Sequence, residues 1–379
     1  KESQIREIKA ARVRELVASR VQVSMDEAFA RYRMKNSTAE AKILRAPREW
    51  FVRYGLELTD AAVGDWVKDN AAAADAAWTT AKDTFKAGCL LVEDVTAVGS
   101  GEAGTDKTKL KAQIDAAKAE LDAGVTFDVV ARRYNAAEDA FPSFGVHCLA
   151  EDAPQTLKDA AAKLDAGKVS GVVELENGFA ILKGHGKLAA EDVEKVGRDA
   201  ENHRVAARFL ADKRVADFVA EVEQELTKGT GVEEALKLCV ERFQVKLKST
   251  STASAAMASA ATVAEVRPKV DASGAFTLYD APIPDVVGGE SATVKAFSLN
   301  VGERARFTQR SGMALLILTA KKEVTREDFA KDGQSFTDEL RRDRQREAVT
   351  RYVLALRKKS EKKIHIVPSL LEEPKQSHE

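Results

Sequence analysis

Two stretches of this chain are near-copies of each other, and that repetition limits the fold more than any other feature. Residues 164–182 read LDAGKVSGVVELENGFAIL, and residues 299–316 read LNVGERARFTQRSGMALL. Gly167 answers Gly302, Gly178 answers Gly312, and Phe179-Ala180-Ile181-Leu182 answers Met313-Ala314-Leu315-Leu316. An acidic helix start follows each copy, at Glu191-Asp192-Val193 and at Glu327-Asp328-Phe329. Such a repeat means one supersecondary unit used twice. Its pattern is helix end, Gly turn, strand, second turn, strand. Gly167 follows Ala160, Ala161, Ala162 and Leu164, a position where the left-handed close of a helix favours Gly. Asn177-Gly178 predicts a two-residue hairpin turn between Val169, Val172, Val173 and Phe179, Ile181, Leu182.

At 379 residues the chain is long enough for two or three domains. An apolar share of 44% can build a core, while 31% charged and only 6% aromatic residues favour long solvated helices over one thick domain. The net charge of −1 gives no global basic field, so nucleic acid is not an expected partner. The charge is uneven, at +6 over residues 1–48, +5 over 321–363, and about −12 over the rest. Basic ends around an acidic middle predict that the ends lie together or face one surface, unless they are merely solvated helix faces. Ile5, Ile8, Val13 and Leu16 form an apolar stripe on a first helix. Phe336, Leu340, Val349, Tyr352 and Leu356 form one on a last helix over 324–363. Those stripes are expected to bury each other.

No apolar run reaches membrane-spanning length and no signal peptide is visible. The chain does not begin with Met, so any export signal or anchor is expected on a missing N-terminal part. Cys89, Cys148 and Cys239 form no CxxC pair and no metal spacing, and an odd count leaves at least one free thiol. Cysteine usage alone leaves the compartment open.

Between these landmarks the pattern predicts further elements. Ser24 with Glu27 opens a helix through Phe29, Tyr32 and Met34. Pro47 breaks the next segment, and 49–56 reads as a strand or buried turn. Helices follow from Thr59-Asp60 and over 71–82. Residues 88–98 read as a strand, 107–123 as a helix stopped by Gly124, and 127–134 as a short helix. A helix near 155–165 leads into the first hairpin. Residues 190–228 read as a long helix, 233–243 as another, and Val245-Lys246-Leu247 as a strand. The Ser/Thr/Ala stretch 249–264 reads as a linker or loop.

Chemistry-bearing motifs are few. Gly99-x-Gly101-x-x-Gly104 matches a dinucleotide fingerprint, but its helix starts too late and no parallel strand follows. Thr105 stands where a phosphate loop needs Lys. Of the histidines, His147, His185, His203, His365 and His378, no two have helical metal spacing. His147 beside Cys148 points to the opposite face of a strand. The expectation is no metal, no cofactor and no catalytic cluster.

The order strand, loop, helix, Phe-helix, irregular stretch, helix, Gly hairpin resembles the parvulin peptidyl-prolyl isomerase domain. The matching words are FDVVARRY at 127–134, Phe144-Gly145, AAAKLDAGKVS at 160–170, and GFAIL at 178–182. The flanking helices resemble SurA/PpiD-like periplasmic chaperones. The resemblance implies an α+β chain. A helical chaperone part comes from both ends (1–84 and 321–379), with a parvulin-like domain at 85–187, a connecting helix at 188–238 and a second, reduced unit at 239–320. It also carries the family's first-strand histidine onto Cys89, its last-strand histidine onto Ala180 (Ala314 in the second copy), and its acidic or thiol position onto Ser143. The pocket Met and Phe fall near Ala153 and Leu157. The substrate groove it implies is Cys89, Leu91, Ser143, Phe144, Leu157, Phe179 and Ala180, with no catalytic residue. The function implied is a periplasmic folding factor that binds extended unfolded polypeptides without isomerising them, with an inner-membrane anchor on the missing part left as an open option. An active prolyl isomerase and an adaptor for one folded partner are the alternatives.

Overall fold

The structure is a computed structural model that describes residues 2–56, 58–99, 107–138, 141–250 and 266–360. The loop glycines Gly101 and Gly104, most of the Ser/Thr/Ala stretch and the C-terminal tail lie outside the described residues. The chain divides into two compact units. One holds Lys1–Ala39, Phe276–Asp280 and Lys321–Glu379, and the other Glu40–Ala275 and Ala281–Ala320.

The smaller unit brings the two ends of the chain together, as the fold class implied. It contains α1 (Glu2–Ser19), α2 (Met25–Asn36) and a long C-terminal helix, α12 (Arg326–Ser360). Ser24 Oγ accepts from the Glu27 amide at 3.1 Å, the expected cap of α2. Phe29 and Tyr32 of α2 pack on Phe329 and Phe336 of α12 with centroids 5.1–5.5 Å apart. Arg326 reaches Asp26 at 2.9 Å. The stripe expected on the first helix is not what closes this unit. Nothing on α1 is buried, and Ile8 remains 68% exposed. α1 also runs along α12, but its aliphatics stay exposed while the aromatic rings of α2 pack.

The larger unit contains two four-stranded sheets. The first has strands β2 (Leu90–Val98), β5 (His147–Cys148), β6 (Val173–Leu175) and β7 (Gly178–Lys187) in the order β5-β2-β7-β6. α6 (Lys107–Asp122) and α7 (Phe127–Tyr134) cover one face, and α8 (Gln155–Ala162) the other. The second sheet has β1 (Thr38–Pro47), β8 (Lys269–Phe276), β9 (Arg304–Gln309) and β10 (Gly312–Lys322) in the order β8-β1-β10-β9. Its helices are α9 (Val193–Thr227) and α10 (Val232–Thr250), with α11 (Ala292–Ser298) beside β9.

The two sheets are the same design. Val95, Ala97 and Ile181 of the first core correspond to Leu44, Ala46 and Leu315 of the second. Leu110, Ile114, Ala117 and Leu121 of α6 correspond to Val215, Val219, Val222 and Leu226 of α9. Gly167 donates to the Gly184 carbonyl at 2.7 Å, and Gly302 to that of Leu318 at 2.8 Å. Val125 donates to the Glu120 carbonyl and Thr230 to that of Glu225. The repeat seen in the hairpins thus extends over a whole domain. The second copy takes its first strand from 38–47 and its helices from 193–250, beyond the 239–320 expected for it.

Several local expectations are corrected. The hairpin turns are Glu176-Asn177 and Arg310-Ser311, because Gly178 already pairs with Leu175 and Gly312 with Gln309. The glycines are needed for closeness. A Cβ on Gly178 would lie 2.1 Å from the Ala97 carbonyl oxygen, and one on Gly312 2.3 Å from that of Ala46. Residues 49–56 contribute a helix, α3 (Arg48–Tyr54), rather than a strand, since Trp50 and Phe51 both turn into the Phe218–Phe243 core. Residues 245–247 continue α10. The strand β1 was hidden by Lys42 and Arg45, whose charges are taken up by Glu233 and Asp271.

Candidate functional site

The seven residues implied as a groove fall into separate places. Ala180 is fully buried and Leu157 nearly so, both in a packed layer with Val92, Leu175 and Leu182 between the sheet and α8. Phe179 faces the other way, into the α6–α7 layer, with the Lys107 and Lys111 ammonium groups 5.7 and 5.8 Å from its ring centroid. Alternation along β7 requires this split, because neighbours on a strand point to opposite faces. Cys89 and Leu91 join a third cluster with Trp78, Phe85 and Leu188, which includes α5 (Ala71–Ala81). Ser143 and Phe144 line an open cavity together.

Cys89 is not a thiol. It forms a disulfide with Cys148, whose strand β5 pairs with β2 through Leu91↔Cys148. The first-strand position that the resemblance assigns to Cys89 therefore carries no thiol, and neither does Cys148 beside His147. The free cysteine is Cys239, fully buried, and burial pushes its thiol up. His147 Nε2 stands 4.0 Å from Asp94, too far for a hydrogen bond.

The Ser143–Phe144 strip is held by a residue that the sequence reading passed over. Asn135 caps α7 and is buried. Its Nδ2 donates to the Asp94 carbonyl at 3.0 Å and to that of Ser143 at 2.8 Å, and its Oδ1 accepts from the Thr96 amide at 2.8 Å. It thereby ties the strip to β2 with three of its four hydrogen-bonding positions. An Asn directly after a helix that ends in Arg-Arg-Tyr was the available signal. Beyond it, the ribbon of β3 (Ala137–Glu138) and β4 (Phe141–Pro142) forms one wall of a cavity of about 430 Å³. Arg204 and Arg208 of α9 form the facing wall. A larger cavity of about 640 Å³ in the smaller unit, between Arg31, Lys35, Phe336 and Leu340, contains none of the expected residues.

Glu93 is a carboxylate buried on β2. Burial pushes its carboxyl up, but the hydrogen bond from His185 at 3.0 Å and the Lys183 ammonium at 3.2 Å outweigh it, and its pKa ends below the usual carboxylate value. This cluster fixes strand pairing and touches no cavity described above. Among the described residues, no group of three or more His, Cys, Asp and Glu side chains is placed to hold a metal ion.

Of the two positions where the resemblance puts histidines, Ala180 thus lies in a closed apolar layer and Cys89 in a separate cluster, with a small aromatic and cationic cavity elsewhere on the domain. Residues 95–186 match the Rotamase family, described as PPIC-type PPIASE domain. No curated protein matches the chain. Similar solved structures include PrsA from Bacillus subtilis, at 17% identity over 56% of this chain and 82% of that one, with a TM-score of 0.23. The peptidylprolyl isomerase PrsA from Bacillus cereus follows at 18% identity, covering 64% and 90%, with a TM-score of 0.20. TM-scores this low leave the match over 95–186 as the finding that bears on function. The chain therefore carries a PPIC-type PPIASE domain, built on the β5-β2-β7-β6 sheet of its larger unit.

Proposed function

We propose that this chain is a SurA/PpiD-like folding factor of the bacterial envelope, which holds extended unfolded polypeptides while its PPIC-type domain turns prolyl bonds poorly or not at all. The observation that carries the second half is the pair Cys89 and Ala180. Rotation about a prolyl bond has a barrier of about 18–20 kcal/mol from amide resonance. A catalyst must bind the twisted amide better than either planar form. Here one of the two positions that resemble the family's histidines is locked in a disulfide, and the other is a buried methyl group. Neither can donate a hydrogen bond. Sheet edges and apolar cavities can still hold a chain by main-chain bonds and contact, with little demand on sequence. The disulfide also suits an oxidising compartment such as the periplasm.

The test has two arms. Equimolar protein is expected to suppress light scattering of a denatured β-barrel client without nucleotide; unchanged scattering over several clients argues against holding. In a protease-coupled assay on proline peptides the rate is expected to stay near the uncatalysed one. The PPIC-type match itself favours the second reading, an active isomerase, and a rate comparable to that of an active parvulin would establish it instead.

A further inference from the structure

The cavity between the β3–β4 ribbon and α9 has two chemically different walls. One is aromatic. Phe141 and Phe144 lie with centroids 5.6 Å apart, and the buried Arg132 guanidinium stands 5.8 Å from the Phe144 ring, fixing it from behind. The other wall is cationic. Arg204 and Arg208 are four residues apart on α9, so they leave the helix on one face. Their charges are not equally free. Both Arg204 nitrogens that point to Glu201 are bonded to its carboxylate, which neutralises them locally. Arg208 has no carboxylate partner among the described residues, and its guanidinium lies 5.8 Å from the Phe141 centroid. A fork of N–H donors beside an apolar wall matches a carboxylate attached to something apolar.

We propose that this cavity binds an extended acidic segment of a polypeptide, with an Asp or Glu carboxylate on Arg208 and a neighbouring apolar side chain against Phe141 and Phe144. The cavity of about 430 Å³ is of ligand-site size. β3 and β4 form a two-stranded sheet, so each is paired on one side only among the described residues. An extended backbone laid along that ribbon can use the other side. This inference rests on the reading of the chain as a holder of unfolded polypeptides, and gives that reading a sequence preference.

The test uses the intact chain and fluorescence anisotropy of a dye-labelled, proline-free peptide with Phe-Ser-Asp at its centre, against the same peptide with Asn for Asp. The Asp peptide is expected to bind at least about tenfold more tightly at low salt, as one charge-assisted pair implies. The preference is expected to shrink as salt is raised. Arg208→Glu is expected to abolish it and to favour a Phe-Ser-Lys peptide. Arg208→Gln is expected to level the Asp and Asn peptides without that reversal. Equal binding of the two peptides to the wild type overturns the inference. So does a preference that survives in both variants with unchanged circular dichroism. Failure of the broader reading is a separate result, namely wild-type protein that leaves client scattering unsuppressed.

Discussion

Single residues decide whether the sheet–α8 layer can do chemistry. Ala180 has no exposed surface and sits among Val92, Leu157 and Leu182. Restoring both family-like histidines, as Cys89→His with Ala180→His, is therefore expected to give no isomerase activity. It should also destabilise the domain, by about 1–3 kcal/mol from overpacking and about 2–4 kcal/mol from the lost disulfide. Urea unfolding with the protease-coupled assay checks both, and an active variant of native stability contradicts the account. Glu93 makes a second residue-scale prediction. Its folded pKa is depressed, so its contribution is present above the unfolded carboxyl value and is lost as pH falls through the folded one. Glu93→Gln is expected to cost about 1–3 kcal/mol near neutral pH. The gap to wild type should narrow below about pH 4, and a gap that widens in acid would refute this. The N-cap Ser24 was legible at this scale, as a Ser followed three residues later by Glu27. The disulfide was not, because two cysteines 59 residues apart meet only when β5 pairs with β2.

Elements are stitched together by arginines whose partners are helix ends. Arg53 of α3 donates to the carbonyls of Arg132 (3.1 Å) and Asn135 (2.9 Å) and to that of Arg133 at the end of α7. Arg132 of α7 returns the contact to Val52 at 2.9 Å and Leu56 at 3.0 Å at the end of α3. Each guanidinium satisfies carbonyls that a helix terminus leaves open. Arg132→Ala is expected to lose about 2–4 kcal/mol, since buried carbonyls lose charged donors and the stem leaves a void. It should also loosen Phe144, which Arg132 backs. Thermal unfolding measures the first effect and hydrogen exchange around 141–144 the second; a shift within error would show the stitch to be dispensable. Helices with caps and long stripes were readable from sequence, as α6, α7 and α9 were. α3 and β1 were not. Their charged residues, Lys42, Arg45, Arg48 and Arg53, break the apolar pattern, and all of them have partners far away in sequence, such as Asp212 for Arg48 and the α7 carbonyls for Arg53.

At the scale of the whole molecule, one domain lies inside another of the same design. The near-copy hairpins made the duplication visible. Its extent was hidden, because the second copy is split, with β1 before the first copy and β10 after it. A chain ending at residue 300 keeps every element of the first sheet but deprives β1 of β10. It is expected to expose Trp50, now 1% accessible, with a red-shifted fluorescence and protease cuts near 38–56. The disulfide-closed first domain should survive intact, and protection of 38–56 in that fragment would contradict the interrupted design. The same split sets an order of events during synthesis. β1 is made roughly 265 residues before β10. At about 5–20 residues per second it waits on the order of 10–50 s for its partner. Meanwhile the inserted domain, with its nearer contacts, can close. Ala39, Ala41, Ile43 and Leu44 are buried once the sheet forms. Until β8 and then β10 are made, the newborn chain carries β1 with open edges, the kind of segment that invites wrong pairing. For most of its own translation the chain is thus itself an unfinished polypeptide, with the first strand of its outer sheet waiting on the last.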